Sequence, residues 1–276
     1  MNNRDITDRL RVARVLAEQA GQALLVMREK SAGRRQSKEG EGFVTEADLE
    51  SERIILNGIR DAFPNDEILS EESAPKTFED YEKKSALWVV DPLDGTSNYL
   101  FGLHNYGVSI AFVSNGVPLV GVICLPSHGL IFFGRQEEIP YALPLSASDE
   151  EVRRMLRVAR ETDPNKAMLH HGWSYPPEGK RRTLRYMERL VDFLDIRSEG
   201  CVVAGLLSVA RGHGHAYVQE TLKPWDVAAA GLLVRLAGGV VTGMDGTPWH
   251  PFRHDIVASN GDLHPLLLQR LSGWEP

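Results

Sequence analysis

Long apolar runs are missing from this chain. No stretch reaches the ~18 consecutive apolar residues of a membrane-spanning helix. The opening Met1-Asn2-Asn3-Arg4-Asp5 has no apolar leader core. Neither a membrane span nor a signal peptide is expected, and the cytoplasm is the expected compartment. Cysteine is scarce: Cys124 and Cys201 are the two among 276 residues. Both have apolar neighbours and read as buried free thiols, not as a disulfide framework. Without a histidine pair nearby they form no zinc site. His170-His171 is such a pair elsewhere, but it lacks a third nitrogen ligand at useful spacing. Positive charge is not in excess either. The formal net charge of -7 is opposite to the balance of a dedicated nucleic-acid binder, although a local basic patch stays open.

What is present is ordinary globular material, 42% hydrophobic and 25% charged. The length suffices for one large domain or two smaller ones. The stretch that organises it is Trp88-Val-Val-Asp91-Pro-Leu-Asp94-Gly-Thr96-Ser-Asn-Tyr99. An apolar strand from Ala86 to Val90 breaks at Asp91-Pro92, and Asp94-Gly95 is a turn pair. Gly95, Thr96 and Ser97 are residue types that open a helix and leave backbone N–H groups free for an anion. Two carboxylates beside that anion site suit a hard divalent cation. Taken alone, the same residues also fit a plain strand, turn and capped helix.

The flanking segments read as helices and strands. Thr7 to Lys30 has the apolar spacing of a long amphipathic helix. Ser31 to Gly42 is a polar, glycine-rich loop or loose hairpin, and as a closing lid it would let Lys38 reach a phosphate. Thr45 and Asp48 form a capping-box-like start to a second helix, a role that by itself accounts for Asp48. Pro64 ends that helix. Glu67–Ser70 is a short strand ending at Glu71. Ligands gather at strand carboxyl ends in α/β folds, so Glu71 is expected to join Asp91 and Asp94. Residues 104–113, 117–125 and 129–134 read as an antiparallel meander. A composition shift at 137–148 marks a boundary, giving an N-terminal half, 1–140, and a C-terminal half, 141–276. In the second half, Glu150–Arg160 is expected as a basic helix and His170–Pro177 as an aromatic loop. Lys180–Arg185 opens another basic helix, which would suit a second phosphate if it faced the site. Strands are expected at Ile196–Ser198 and Ala216–Val218, with Gly200–Ala210 an apolar core helix between them. Lys223-Pro-Trp-Asp226 precedes a helix whose first turn holds Asp226; dipole stabilisation alone would explain that acid, while Ala228-Ala229-Ala230 permits close packing. Short strands, Thr247-Pro248 among them, and a closing helix from His264 to Leu271 complete the chain.

Together, Ser70-Glu71-Glu72-Ser73, Asp91-Pro-Leu-Asp-Gly-Thr-Ser-Asn98 and Trp225-Asp-Val-Ala-Ala-Ala-Gly231 with Ala237-Gly-Gly239 resemble the motifs of the inositol monophosphatase family, in order and over nearly the whole chain. These are metal-dependent, lithium-sensitive phosphatases. The resemblance implies an αβαβα sandwich, with a largely antiparallel N-terminal sheet and a mixed C-terminal sheet. It implies two or three Mg²⁺ held by Glu71, Asp91, the Leu93 carbonyl, Asp94 and Asp226. It makes Gly95, Thr96 and Ser97 a phosphate cradle, and Asp48 with Thr96 the pair orienting the attacking water; Glu71 joins that catalytic set. Lys38 matches a lid residue less closely, and Gly200 lies in a segment near substrate and dimer interface. A small phosphate ester is the implied substrate, myo-inositol 1-phosphate or a relative, hydrolysed by a homodimer. Fructose 1,6-bisphosphate, histidinol phosphate and adenosine 3′,5′-bisphosphate are alternatives, and a non-catalytic regulatory protein of the same fold is a further one. The departure is Gln219, where the family places a Glu that binds ring hydroxyls; Glu220 would face the other way on a strand. Four carboxylates brought together would repel one another strongly without cations, and neither cysteine adjoins a motif in sequence.

Overall fold

The computed structural model describes residues 3–30, 36–38, 42–145, 153–175 and 177–273. Two helices form the outer layer: α1 (Asn3–Lys30) and α2 (Glu46–Ala62). Their apolar stripes, including Ala13, Ala17, Ala20, Leu24, Ile55 and Ile59, are buried against one sheet face. Between them lies a small hairpin, β1 (Gln36–Lys38) with β2 (Gly42–Val44), in keeping with the expected loose hairpin. The side chain of Lys38, and residues 31–35 and 39–41, lie outside the described part.

The next layer is a seven-stranded sheet. It comprises β3 (Glu67–Ser70), β4 (Leu87–Asp94), β5 (Gly107–Ser114), β6 (Val117–Leu125), β7 (Leu130–Arg135), β8 (Tyr141–Pro144) and β9 (Arg154–Met155), in chain order. Only the β3–β4 pair is parallel; the rest form the expected antiparallel meander. Both faces are covered, so β4 is buried throughout. A short helix, α3 (Thr96–Leu100), follows β4.

The second sheet has the order β11-β10-β12-β14-β13. Its strands are β10 (Met168–His171), β11 (Asp195–Arg197), β12 (Ala216–Glu220), β13 (Val240–Thr242) and β14 (Asp255–Ser259). β10 pairs in parallel with β11 and β12, while β14 pairs antiparallel with β12 and β13, so the sheet is mixed. Between the two sheets run α5 (Val202–Ala210) and α6 (Pro224–Leu236), buried in one apolar cluster with residues of both sheets. On the far face, α4 (Pro177–Met187) and α7 (His264–Leu271) close a smaller core. The layers are therefore α, β, α, β, α. Among the described residues no helix is long and apolar enough to cross a membrane.

Three expectations are corrected. Residues 153–160 hold no helix: Arg154–Met155 is an edge strand on β8, Arg154 opposite Ala142. The Arg153 guanidinium sits 5.5 Å from the Tyr141 ring centroid, so sheet pairing and aromatic contact override helical propensity there. Residues 146–152 lie outside the described part. His170 and His171 are not in a loop but in β10, buried between β11 and β12; the polar type of the two rings hides a central strand. Thr247-Pro248 forms no strand of its own, only a bridge between Thr242 and Pro248. The seven-stranded sheet also continues past residue 140, through β8 and β9.

The alanine run lets α6 lie close between the sheets, as its composition suggested. At Gly121 on β6 an added Cβ would stand 2.9 Å from the Ala229 carbonyl oxygen and 3.1 Å from its Cα, both backbone atoms of α6. Gly121→Ala is expected to destabilise the fold by about 1–3 kcal/mol through overpacking. The urea midpoint, with the denaturant slope as control, measures this; an unchanged midpoint would show that α6 moves aside freely.

Candidate active site

Five segments, within residues 71–78, 91–98, 171–175, 200–202 and 217–226, meet with His254 at one cavity of about 1080 Å³. Its walls include Glu71, Asp91, Leu93, Asp94, Gly95, Thr96, Ser97, Gly200, Gln219 and Asp226. Ten of the residues singled out from sequence are thus brought together. Asp48 is not on the wall but accepts a hydrogen bond from Thr96, which is. Lys38 is not placed, since its side chain lies outside the described part.

β4 makes its last regular pair at Asp91 with Ser109, then shifts register and resumes at Asp94 with Gly107. Pro92 has no N–H for the ladder, which is why the irregularity falls there. The bulge is pinned twice. The Leu93 N–H donates to Asp91 Oδ1 at 3.0 Å, and Ser51 Oγ of α2 donates to the Pro92 carbonyl at 2.7 Å. Gly95 then turns the chain at φ 85°, where an added Cβ would meet the Asn105 carbonyl at 2.9 Å. This left-handed, crowded position suits glycine alone.

Each aspartate accepts at least one backbone N–H. Asp94 Oδ2 accepts the Val203 N–H at 2.6 Å, at the start of α5, and the Cys201 thiol at 3.2 Å. Asp226 Oδ2 accepts the Lys223 N–H at 2.7 Å, the capping interaction that opens α6. Asp91, as above, takes the Leu93 N–H. Asp94 also takes backbone hydrogen bonds from Val202 and Gly95, and all three carboxylates line the cavity. Among the described residues no lysine or arginine forms an ion pair with any of the three.

Burial pushes all three carboxyls above the ordinary carboxylate range. For Asp91 the charges of Glu71, Asp94 and Asp226 push further in the same direction. Asp226 is raised by burial and then by Glu71, against the restraining Lys223 N–H. Asp94 is raised by burial, with the Val203 N–H and the Cys201 thiol opposing. The four acids therefore feel one another across the cavity. Among the described residues no three His, Cys, Asp or Glu side chains are gathered into a closed metal shell. The donor set nevertheless fits a hard divalent cation in kind: buried, mutually repelling carboxylate oxygens with a backbone carbonyl at Leu93.

Behind this group, Thr96 Oγ1 lies 3.1 Å from both Asp48 Oδ1 and the Leu93 carbonyl. Asp48 is 1% exposed. Its Oδ2 accepts from the Thr45 N–H at 2.8 Å and the Thr45 hydroxyl at 2.6 Å, so the capping box is present and also faces the site. Burial raises the Asp48 carboxyl, against the Thr45 and Thr96 hydrogen bonds.

Several site residues escape sequence reasoning. Cys201 is distant from every motif along the chain, yet its thiol touches Asp94; burial first and the Asp94 charge second hold that thiol protonated, a donor and not a nucleophile. Ser51 gives no signal beyond helical position. Lys76, Trp173, Tyr175, Tyr217, Lys223 and His254 also line the cavity, as do His171 and Glu72. Conversely, none of Lys180–Arg185 lies on its wall: Arg182 pairs with Glu220 at 3.0 Å, and Lys180 sits over the Tyr175 ring.

The fold and this cavity define a five-layered α/β protein with a carboxylate-rich pocket at the start of a short helix. The chain belongs to the inositol monophosphatase family, whose sequence profile matches residues 5–273. It is 37% identical over 209 residues to a Xylella fastidiosa protein named Nus factor SuhB, covering 74% of this chain and 70% of that one. It is 32% identical over 222 residues to a fructose-1,6-bisphosphatase/inositol-1-monophosphatase of Thermotoga maritima, covering 80% and 79%. Its fold matches the inositol monophosphatase of Anabaena with a TM-score of 0.81 and 31% identity, over 99% and 98% of the two chains.

A group whose folded pKa is raised stabilises the fold below its unfolded value and loses that contribution as pH rises through the folded one. For Asp91, ordinarily near 3.8, the metal-free protein therefore loses stability as pH rises above that value. Asp91→Asn removes the loss. Thermal melting with a chelator is expected to show the variant gaining on wild type as pH goes from about 3.8 to neutral, with Mg²⁺ raising the melting temperature of wild type more than that of the variant. A difference that does not change with pH or Mg²⁺ would contradict the mutual repulsion.

Proposed function

We propose that this chain is a Mg²⁺-dependent phosphomonoesterase hydrolysing inositol 1-phosphate or a similar small polyol or sugar phosphate. The observation that carries this is the shared cavity: the buried Asp91 and Asp94, the half-buried Asp226 and Glu71 beside a threonine hydroxyl backed by the buried Asp48. Glu71, Asp91, the Leu93 carbonyl, Asp94 and Asp226 would hold the ions. Bound Mg²⁺ supplies Lewis-acid chemistry, acidifying water and offsetting charge on the phosphoryl and leaving oxygens.

The chain's own groups do the rest. Thr96 donates its hydroxyl proton to Asp48, which turns the Oγ1 lone pairs outward to accept a proton from the attacking water. Asp48, held above the ordinary carboxylate range by burial, is a better proton acceptor than an exposed aspartate. The Thr96 and Ser97 N–H groups, in the first turn of α3, lack intrahelical acceptors and are available to phosphoryl oxygens. Glu71, which shares the cavity wall, completes the catalytic set. No covalent intermediate is required, and Cys201 takes no part as nucleophile.

A homodimer and a cytoplasmic location belong to this proposal; two buried free thiols suit a reducing compartment. The name of the Xylella relative favours a second reading, a regulatory protein acting through another macromolecule. The net charge of -7 weighs against RNA as that partner.

Mg²⁺-dependent phosphate release is expected from at least one of inositol 1-phosphate, fructose 1,6-bisphosphate, histidinol phosphate and adenosine 3′,5′-bisphosphate. Asp94→Asn, with an unchanged circular dichroism spectrum, is expected to lower kcat/KM by about a hundredfold or more, since it disturbs a metal ligand. Release from none of these esters would favour the regulatory reading. Li⁺ is expected to inhibit at Mg²⁺ concentrations that support turnover, and a rate that Li⁺ leaves unchanged would contradict that part of the proposal.

A further inference from the structure

The wall of the cavity formed by β12 is built to donate hydrogen bonds. Side chains alternate along a strand, and Tyr217 and Gln219 share one face while Glu220 takes the other and meets Arg182. Gln219 is 7% exposed and lines the cavity. The Tyr217 hydroxyl donates to Gln219 Oε1, the phenol's only hydrogen bond among the described residues. Burial pushes the Tyr217 phenol well above its ordinary range, with the nearby Asp94 charge acting in the same direction, so the proton stays on.

The acceptor end of the amide is thus taken. Turning the amide over would leave a buried phenol proton with no acceptor, which is costly. The amide also lies tightly on Gly172, where an added Cβ would be 1.8 Å from Oε1. Gln219 Nε2, with two protons and no hydrogen-bond partner among the described residues, is what remains for a ligand. Lys76 and Lys223 line the same cavity without ion-pair partners among the described residues. The Lys223 ammonium lies 5.6 Å from the Phe78 ring centroid, which steadies it.

We propose that this wall is a subsite for a proton-free, anionic acceptor on the leaving alcohol, a carboxylate or a second phosphate. Gln219 Nε2 is its specificity-determining donor, Tyr217 the positioning residue that fixes the amide, and Lys76 and Lys223 supply countercharge. The proposal rests on the phosphatase reading and narrows it. A neutral polyol can accept from Nε2 but gains nothing from the two ammonium groups, whereas an anion gains from all three donors.

The test compares three esters with the full chain and Mg²⁺: inositol 1-phosphate, 2-phosphoglycerate and fructose 1,6-bisphosphate. Wild type is expected to prefer one of the two anionic esters over inositol 1-phosphate by about tenfold or more in kcat/KM; which of the two leads identifies carboxylate or phosphate as the recognised group. Gln219→Glu is expected to reverse the preference, mainly through KM. Tyr217→Phe, which frees the amide to turn, is expected to shrink it, again through KM and not kcat. An unchanged preference in Gln219→Glu, or no wild-type preference, overturns the proposal. If no ester is hydrolysed, the phosphatase reading fails separately. Calorimetric titration of the same esters in the presence of Ca²⁺ then decides: tighter binding of an anionic ester, lost in Gln219→Glu, upholds the subsite, and equal binding overturns it.

Discussion

Mutual repulsion among buried carboxylates is the constraint on which this structure turns. Asp91, Asp94 and Asp226 are each pushed toward the protonated form by burial and, for Asp91 and Asp226, by acidic neighbours. A fold tolerates this only if something fixes the side chains despite the repulsion. Here backbone N–H groups do so: Leu93 for Asp91, Val203 (with Val202 and Gly95) for Asp94, and Lys223 for Asp226. A hydrogen bond to a charged group is worth about 1.5–3 kcal/mol. That is enough to hold one oxygen of each in place and too little to discharge the group.

The layers exist, in effect, to deliver the N–H groups of Leu93, Val203 and Lys223. Leu93 is presented by a bulge that Pro92 forces on a central strand and that Ser51 of α2 ties down. Val203 and Lys223 stand at the starts of α5 and α6, the two helices packed side by side between the sheets. Helix starts carry unpaired N–H groups and partial positive charge, so both helices bring what an acid needs. α6 also lies close on Gly121, where Ala229 leaves no room for a side chain.

The ends of strands and helices were legible in the sequence because their chemistry is local. Thr45 with Asp48, the Asp94-Gly95 turn and the acid in the first turn after Pro224 each announce a terminus within a few residues, and the structure places a terminus at each. Family resemblance then gathered the distant acids that local pattern could not join. What stayed hidden depends on contacts between segments far apart. The Cys201 thiol reaches Asp94 across 107 positions, and Ser51 reaches Pro92 across 41. The two histidines of β10 masked a strand because their burial is decided by neighbours on both sides, not by their own polarity. The arginines near residue 155 failed as a helix for a related reason: an open sheet edge was waiting for them.

The two ends of the cavity are joined by a single strained turn. Thr221 has φ 58°, a left-handed backbone conformation that a β-branched residue adopts only under compulsion. It follows Gln219 and Glu220 and precedes Lys223 and Asp226, and it lines the same cavity. Without that reversal β12 would run on past the pocket, and the strand could supply Gln219 or the following helix Asp226, but not both to one space. The strain costs about 1–3 kcal/mol and is met by burial on every side of β12 and α6. Specificity wall and acid-bearing helix are thereby rigidly coupled. On the proposed reading, a leaving group seated against Gln219 would be held at a fixed distance from Asp226, and the turn that positions the acid would also position the group that meets the ligand.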